Sequence, residues 1–223
     1  MEMLRADERA EATLSDIAYE KIRLAILLGT LRPNQRLVEA ELAETLEMSR
    51  TPIREALRLV EFDGLVDRRG HGVYVHEPTL DEIRELYEVR AILESGAAMI
   101  AARDPDPELL GELARIVDES SAASLQERSE YVRLNNEFHQ TVMKLSGNGR
   151  LEVVYRHSTY FCFNHSLENA YDSTDIQLAL QQHQEILNAV RDGEPAEASR
   201  LAWDHVISAR DVALAKLMLR GAV

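Results

Sequence analysis

The sequence predicts a mainly α protein in two parts, a small N-terminal unit closed by a β-hairpin and a larger all-helical bundle. Three observations predict it. Ala, Leu, Glu and Arg dominate while aromatics make up 5% of the 223 residues, which favours helix over a sandwich or barrel. Apolar residues recur at steps of three and four along most of the chain. One stretch breaks that rhythm: residues 65–75 place Gly70 and Gly72 between two short β-type runs, Leu65-Val66 and Val73-Tyr74-Val75. At 45% hydrophobic and 29% charged, the composition is that of a folded globular protein long enough to bury a core.

The elements follow in order. Leu14, Ala18, Ile22, Ala25 and Ile26 make one stripe of a first helix over 14–28. Gly29 ends it, and Arg32-Pro33-Asn34 is a turn. A short second helix is expected over about 39–46 with Leu42, Ala43 and Leu46 inward. After a break at Met48-Ser49-Arg50, Thr51-Pro52 opens the third helix, because proline suits the first turn and a Ser or Thr before it can cap. Ile53, Ala56, Leu57, Val60 and Phe62 form its stripe, and Gly64 stops it. The hairpin comes next, then a linker at Glu77-Pro78. About six helices should follow, over 80–103, 107–124, 128–146, 149–168, 175–192 and 195–219. Their breaks carry turn chemistry: Asp104-Pro105, Gly147-Asn148-Gly149, Asp172-Ser173 and Asp192-Gly193-Glu194-Pro195. The expected domains are 1–76, a linker at 77–79, and 80–223.

Several classes drop out. Cys162 is the single cysteine, so no intrachain disulfide forms; between Phe161 and Phe163 it reads as a small core residue. The first 20 residues carry Arg5, Asp7, Glu8, Arg9 and Glu11 and show no signal peptide. No apolar run approaches the roughly 18–20 residues that cross a bilayer, so a cytoplasmic location and no membrane partner are expected. The net charge of −14 by itself argues against nucleic acid. Its distribution reverses that argument. Residues 1–78 hold 11 Lys and Arg against 15 acids, residues 79–223 hold 14 against 24, and residues 49–72 hold five Arg against four acids.

Three helices, a tight turn before the third, and a hairpin make a winged helix-turn-helix, whose last helix enters the major groove. Arg50, Arg54 and Arg58 are four apart and share a face with Thr51. Arginine pairs bidentately with guanine or clamps phosphate. Arg68, Arg69, Gly70, His71 and Gly72 at the hairpin suit a minor-groove or phosphate contact, since glycine lets backbones approach closely. The competing reading is a solvated basic face on a protein-binding module, with Glu55 pairing Arg58. The stretch from Ala18 to Val75, with LVEAELAE at 37–44 and SRTPIREALRLVEFDGLV at 49–66, resembles the DNA-binding domain of GntR-family regulators. The resemblance implies that Arg50, Thr51 and Arg54 read or position on a double-stranded operator, with Gly70, His71 and Gly72 at the wing tip. It also shows a departure: fatty-acid-responsive members use an Arg where Ala40 stands.

In the second part, three of seven histidines fall on apolar helix faces. His183 lies among Ile176, Ala179, Leu180, Ile186, Leu187 and Val190, and His205 among Ala198, Leu201, Ala202, Ala209 and Val212. His139 sits beside Phe138 and Val142, one turn after Asn135. Three buried imidazoles without partners would be costly, and neutral imidazole suits zinc, nickel, copper or iron. Arg90, inside the stripe of Ile83, Leu86, Tyr87, Leu93 and Ala97, either pairs with an acid such as Glu94 or grips an effector carboxylate. His76, His157 and His165 read as bland. Residues 80–220, with LYEVR at 86–90, Glu94, NNEFH at 135–139, SGN at 146–148, HQEIL at 183–187 and His205, resemble the FCD-type, VanR-like ligand-binding domain of the FadR subgroup. That resemblance implies a divalent metal, zinc or nickel first, held by an Asp and three His with a small organic acid on it. Here Asn135 stands in the Asp position, and an amide oxygen is a neutral, weaker donor.

The function expected is a sequence-specific transcription regulator, a repressor controlled by a small carboxylate effector and acting as a homodimer on paired half-sites, with no enzyme activity. Two alternatives stand beside it. A metal-dependent hydrolase could use the three His, although H-E-x-x-H and a placed general base are missing. An all-α scaffold would need no inward imidazoles.

Overall fold

A computed structural model describes residues 13–27, 29–122, 128–158 and 171–221. The chain divides into two compact units, Met1–Glu77 and Pro78–Val223. In the first, α1 (Leu14–Leu27) packs on α3 (Arg50–Phe62), with α2 (Glu39–Thr45) beside it. Ala18, Ile22 and Ile26 of α1 meet Ile53, Ala56, Leu57 and Val60 of α3 in the interior. Leu14 and Phe62, expected inward, are exposed, Phe62 at 89%. Both lie in the end turns of their helices, where no other described residue covers them. Arg50 already belongs to α3, which places Pro52 at its third residue. Ser49 is the N-cap by backbone alone and makes no side-chain capping bond.

The hairpin forms as β2 (Val66–Arg69) and β3 (Gly72–Val75), paired antiparallel with Arg69 opposite Gly72. A third strand, β1 (Arg36–Leu37), was not expected. It pairs antiparallel with β3 to give the order β1-β3-β2. Two residues carry no periodicity, which is why β1 leaves no mark in the sequence. Gly70 turns the hairpin at φ +62°, a region that disfavours side chains. Gly72 is buried, and a Cβ there would lie 2.6 Å from the Tyr74 ring.

The second unit is a bundle of α4 (Leu80–Ala101), α5 (Pro107–Ala122), α6 (Arg128–Leu145), α7 (Gly149–Ser158), α8 (Ser173–Arg191) and α9 (Pro195–Gly221). Thr79 and Glu82 close a reciprocal capping box on α4, as Asp172 and Asp175 do on α8. α4 packs along α9, α5 along α6 and α8 along α9. Leu113, Ile116, Leu134, Phe138, Met143, Ile186, Leu187 and Val190 fill the main core. Ile83, Tyr87, Ala91, Val206, Ala213 and Leu214 form a second layer. The predicted helix ends hold within a few residues. Residues 159–168 of the fourth predicted helix, with Cys162 and His165, lie outside the described residues. Among those described, no helix is long and apolar enough to cross a membrane.

Candidate functional site

Each unit presents one polar constellation. In the first, the buried side of α3 leaves Arg50, Thr51, Arg54 and Arg58 exposed. Arg54 grips Glu39 of α2: Nε reaches Oε1 and Oε2 at 3.2 and 3.3 Å, and Nη2 donates to Oε2 at 2.9 Å. The contact holds the Glu39 carboxyl below its usual range, opposed by slight burial. Glu55 accepts from Ser15 rather than pairing with Arg58. Arg68 on β2 donates to Glu61 of α3 (2.7 Å), which ties the wing to that helix. Arg69 donates to Asn34 (2.8 Å), pairs with Asp67 (3.2 Å) and sits 5.4 Å from the centre of the Tyr74 ring. His71 and Gly70 are exposed at the turn, while Gly72 packs inward. His76, read as bland, places Nδ1 2.9 Å from Asp67.

In the second unit, His139 of α6, His183 of α8 and His205 of α9 are buried, and one ring nitrogen of each lies within 4.8 Å of the others. Glu94 and Arg90, one turn apart on α4, form a buried ion pair. His139 Nδ1 lies 2.8 Å from Glu94 Oε2, and Arg90 Nη2 lies 2.8 Å from His139 Nε2. A carboxylate only accepts and a guanidinium only donates. Nδ1 therefore carries the proton, and Nε2 the lone pair. Tyr155 of α7 donates to Glu94 Oε1 at 3.1 Å. His205 Nδ1 contacts Gln182 Oε1 at 2.9 Å, and its Nε2 faces His183 Nε2 at 3.2 Å. With Gln182 accepting, His205 Nε2 also offers a lone pair, and His183 is the donor between them. Phe138 stacks on His183 with ring centres 3.8 Å apart.

Burial governs the protonation of the three rings. It pushes His139 down, with Arg90 adding and Glu94 opposing. It pushes His183 well below its ordinary value, helped by the other two rings and Arg90. His205 is pushed down to about 3, first by burial and then by His139. Burial opposes ionisation of Glu94, but Arg90 and His139 outweigh it and hold the carboxyl well below the usual range. At neutral pH the site is three neutral imidazoles around an ionised Arg–Glu pair. A cavity of about 50 Å³ opens onto it, lined by Arg90, Asn135, His139, Gln182 and His205 and rimmed by Tyr87, Tyr131 and Tyr171.

The two constellations match known domains. Residues 14–75 match the bacterial regulatory proteins of the gntR family, and residues 85–208 match the FCD domain. The chain belongs to the GntR-family regulators with an FCD domain. The uncharacterized HTH-type transcriptional regulator YdhC of Bacillus subtilis (strain 168) is 31% identical over 78% of this chain and 79% of its own length. The Nta operon transcriptional regulator of Aminobacter aminovorans is 31% identical over 86% and 90%. The solved structure of E. coli McbR/YncC superposes with a TM-score of 0.77 at 20% identity, covering 88% of this chain and 94% of that one, a likeness of fold.

This GntR-family chain is thus a DNA-binding transcription regulator and not an enzyme; its relatives give the hydrolase alternative no support. Regulators of this family act on operators, typically as dimers. The structure brings His139, His205, Arg90 and Asn135 to one cavity, with His183 clustered behind the first two rings. Arg90 pairs with Glu94, the first of its two expected roles, and also lines the cavity. Tyr155 and Gln182 escaped sequence reasoning. Their partners stand 61 and 23 residues away on other helices, and no spacing along one helix points to them.

Proposed function

We propose that this regulator is a repressor whose operator affinity is set by a small carboxylate in the cavity of the second unit. Residues 1–76 serve as the reader and 80–223 as the effector domain, joined at 77–79. Arg50, Thr51, Arg54 and Arg58 face the major groove, while Arg68, Arg69, Gly70, His71 and Gly72 serve the wing. A homodimer meets two half-sites. The observation that carries the effector reading is a cluster of three buried neutral imidazoles, two of which line one small cavity together with a guanidinium. At roughly 10–15 Å³ for one water by this measure, about 50 Å³ suits a ligand of a few heavy atoms.

The residues present fit a divalent ion. His139 and His205 each anchor Nδ1 on an acceptor, Glu94 and Gln182, which leaves each Nε2 basic; that of His139 accepts from Arg90 and is released to an ion when the guanidinium turns to a ligand. His139, His183 and His205 would hold zinc or nickel, with the neutral Asn135 carboxamide as the weak fourth donor. The ion would supply a positive centre for a carboxylate oxygen, and Arg90 would take the other oxygen or orient it. An effector acts only through unequal affinity for the two states of the repressor.

The test uses an operator selected from fragmented genomic DNA on the purified protein. His183→Ala should keep wild-type operator affinity but lose metal uptake, read by elemental analysis, and lose release by small organic acids. Normal metal content with normal release would remove His183 from the site.

A further inference from the structure

Of the five arginines on the groove helix and wing, Arg54, Arg68 and Arg69 meet an acid, whereas Arg50 and Arg58 make no ion pair among the described residues. The Arg54 pair differs in kind, because its acid sits on a different helix of the helix-turn-helix. Glu39 is the first residue of α2 and Arg54 the fifth of α3. Both side chains remain open to solvent, at 37% and 55%. An exposed pair like this adds little to the fold. It also places a carboxylate on the face expected to meet phosphates, which costs affinity for any DNA.

The geometry supplies the compensating gain. Glu39 takes the Nε side of the guanidinium, through Nε–H and one Nη2–H. A guanidinium has five N–H groups in a fixed plane. The second Nη2–H and the parallel Nη1–H remain on the terminal edge, the pair that guanine O6 and N7 accept. The carboxylate therefore fixes the plane of the group while leaving its base-reading edge open. A group held in place before binding loses less freedom on binding.

We propose that Glu39 is a specificity-determining positioning residue that aims Arg54 at one base pair of each half-site. This rests on Arg54 being a base reader. Glu39 discriminates among sequences and does not add to affinity for DNA in general. Arg50 and Arg58, without such a partner, serve as positive charges that accept any phosphate. Specificity in this reader is then a property of two helices, and residue 39 tunes it from outside the groove helix through its bond to Arg54.

The experiment uses the full chain and a duplex selected by the wild type from a random-sequence library. Affinities for that duplex, for its single base-pair substitutions and for a scrambled duplex are measured at one salt concentration. The proteins are wild type, Arg54→Ala, Glu39→Ala and the double variant. Arg54→Ala should relax discrimination at one position per half-site. Glu39→Ala should relax the same position by at least about fivefold, leave the scrambled duplex bound equally or more tightly, and add nothing in the double variant. Unchanged discrimination in Glu39→Ala, or losses that add fully in the double variant, would overturn the proposal. If Arg54→Ala relaxes no position, the base-reader reading falls and the proposal with it. If Arg54→Ala relaxes a position and Glu39→Ala does not, the proposal alone falls. Glu39 also lies in the first turn of α2, where a negative charge favours the helix. Glu39→Gln, checked by thermal melting, replaces Glu39→Ala if that variant does not fold, and it carries the same expectations.

Discussion

The molecule contains two Arg–Glu pairs of the same chemistry in opposite surroundings. Arg54–Glu39 stands in solvent on the reader, and Arg90–Glu94 is sealed in the bundle with both side chains 4% exposed. Water already satisfies the first pair, so separating its members costs the fold little. The second pair has given up its water. Its members depend on each other and on the His139 and Tyr155 bonds. One pair is therefore free to serve a partner molecule, whereas the other is a structural commitment on which the imidazole site is built.

The largest expected effect breaks the buried pair. Arg90→Ala leaves Glu94 buried and charged with only the neutral donors His139 and Tyr155, at a cost of about 3–5 kcal/mol, read as a lowered urea midpoint of the effector unit. Arg54→Ala, the matching change in the reader, should leave that midpoint unmoved. Equal effects would erase the distinction between the two pairs.

Acid should separate the units next. The folded pKa values of His139, His183 and His205 lie below the ordinary value, so the unfolded chain takes up protons first as pH falls. Stability is full above about 6.5 and declines below it, by up to about 1.4 kcal/mol per pH unit for each imidazole. The depressed Glu94 adds a further loss as pH falls below its ordinary range. Metal-free protein melted between pH 7.5 and about 5 should lose its bundle transition first. The reader has no buried histidine among the described residues. A pH-independent bundle would mean that the rings titrate alike in the folded and unfolded chain, so that burial does not depress them.

The smallest effect sharpens the picture of the wing. In Gly72→Ala the new Cβ displaces the Tyr74 ring, and with it the face that Arg69 covers. Operator affinity should fall by about two- to fivefold with no change in melting. An unaffected operator titration would show that Arg69 does not need that platform.

What the sequence made legible follows the range of each interaction. The stripe of α3 and the three inward histidines were visible because helical spacing puts them on apolar faces within one segment. Glu94 came into view through its one-turn distance from Arg90. Tyr155, Gln182 and the Glu39–Arg54 grip were not, since each joins different helices through side chains whose types are common on surfaces. Phe62 misled for the same reason. Its position continues the stripe, but whether anything lies opposite is decided by the neighbouring elements and not by the helix itself.

The composition of the buried site has an electrical consequence. Glu94 and Arg90 cancel, the three rings and Asn135 are neutral, and Asp175 of the lining shares Lys216 (3.1 Å) with Asp172 (2.8 Å). Around the rings the described residues leave no net charge, and the excess negative charge lies with the two carboxylates that share Lys216. A dication entering alone, or an organic anion entering alone, would leave a net charge in a low-dielectric pocket. On the proposed reading, a dication and an organic anion entering together would neutralise one another, so each would tighten the other by the same factor, and the switch would respond to the coincidence of two solutes more steeply than to either one.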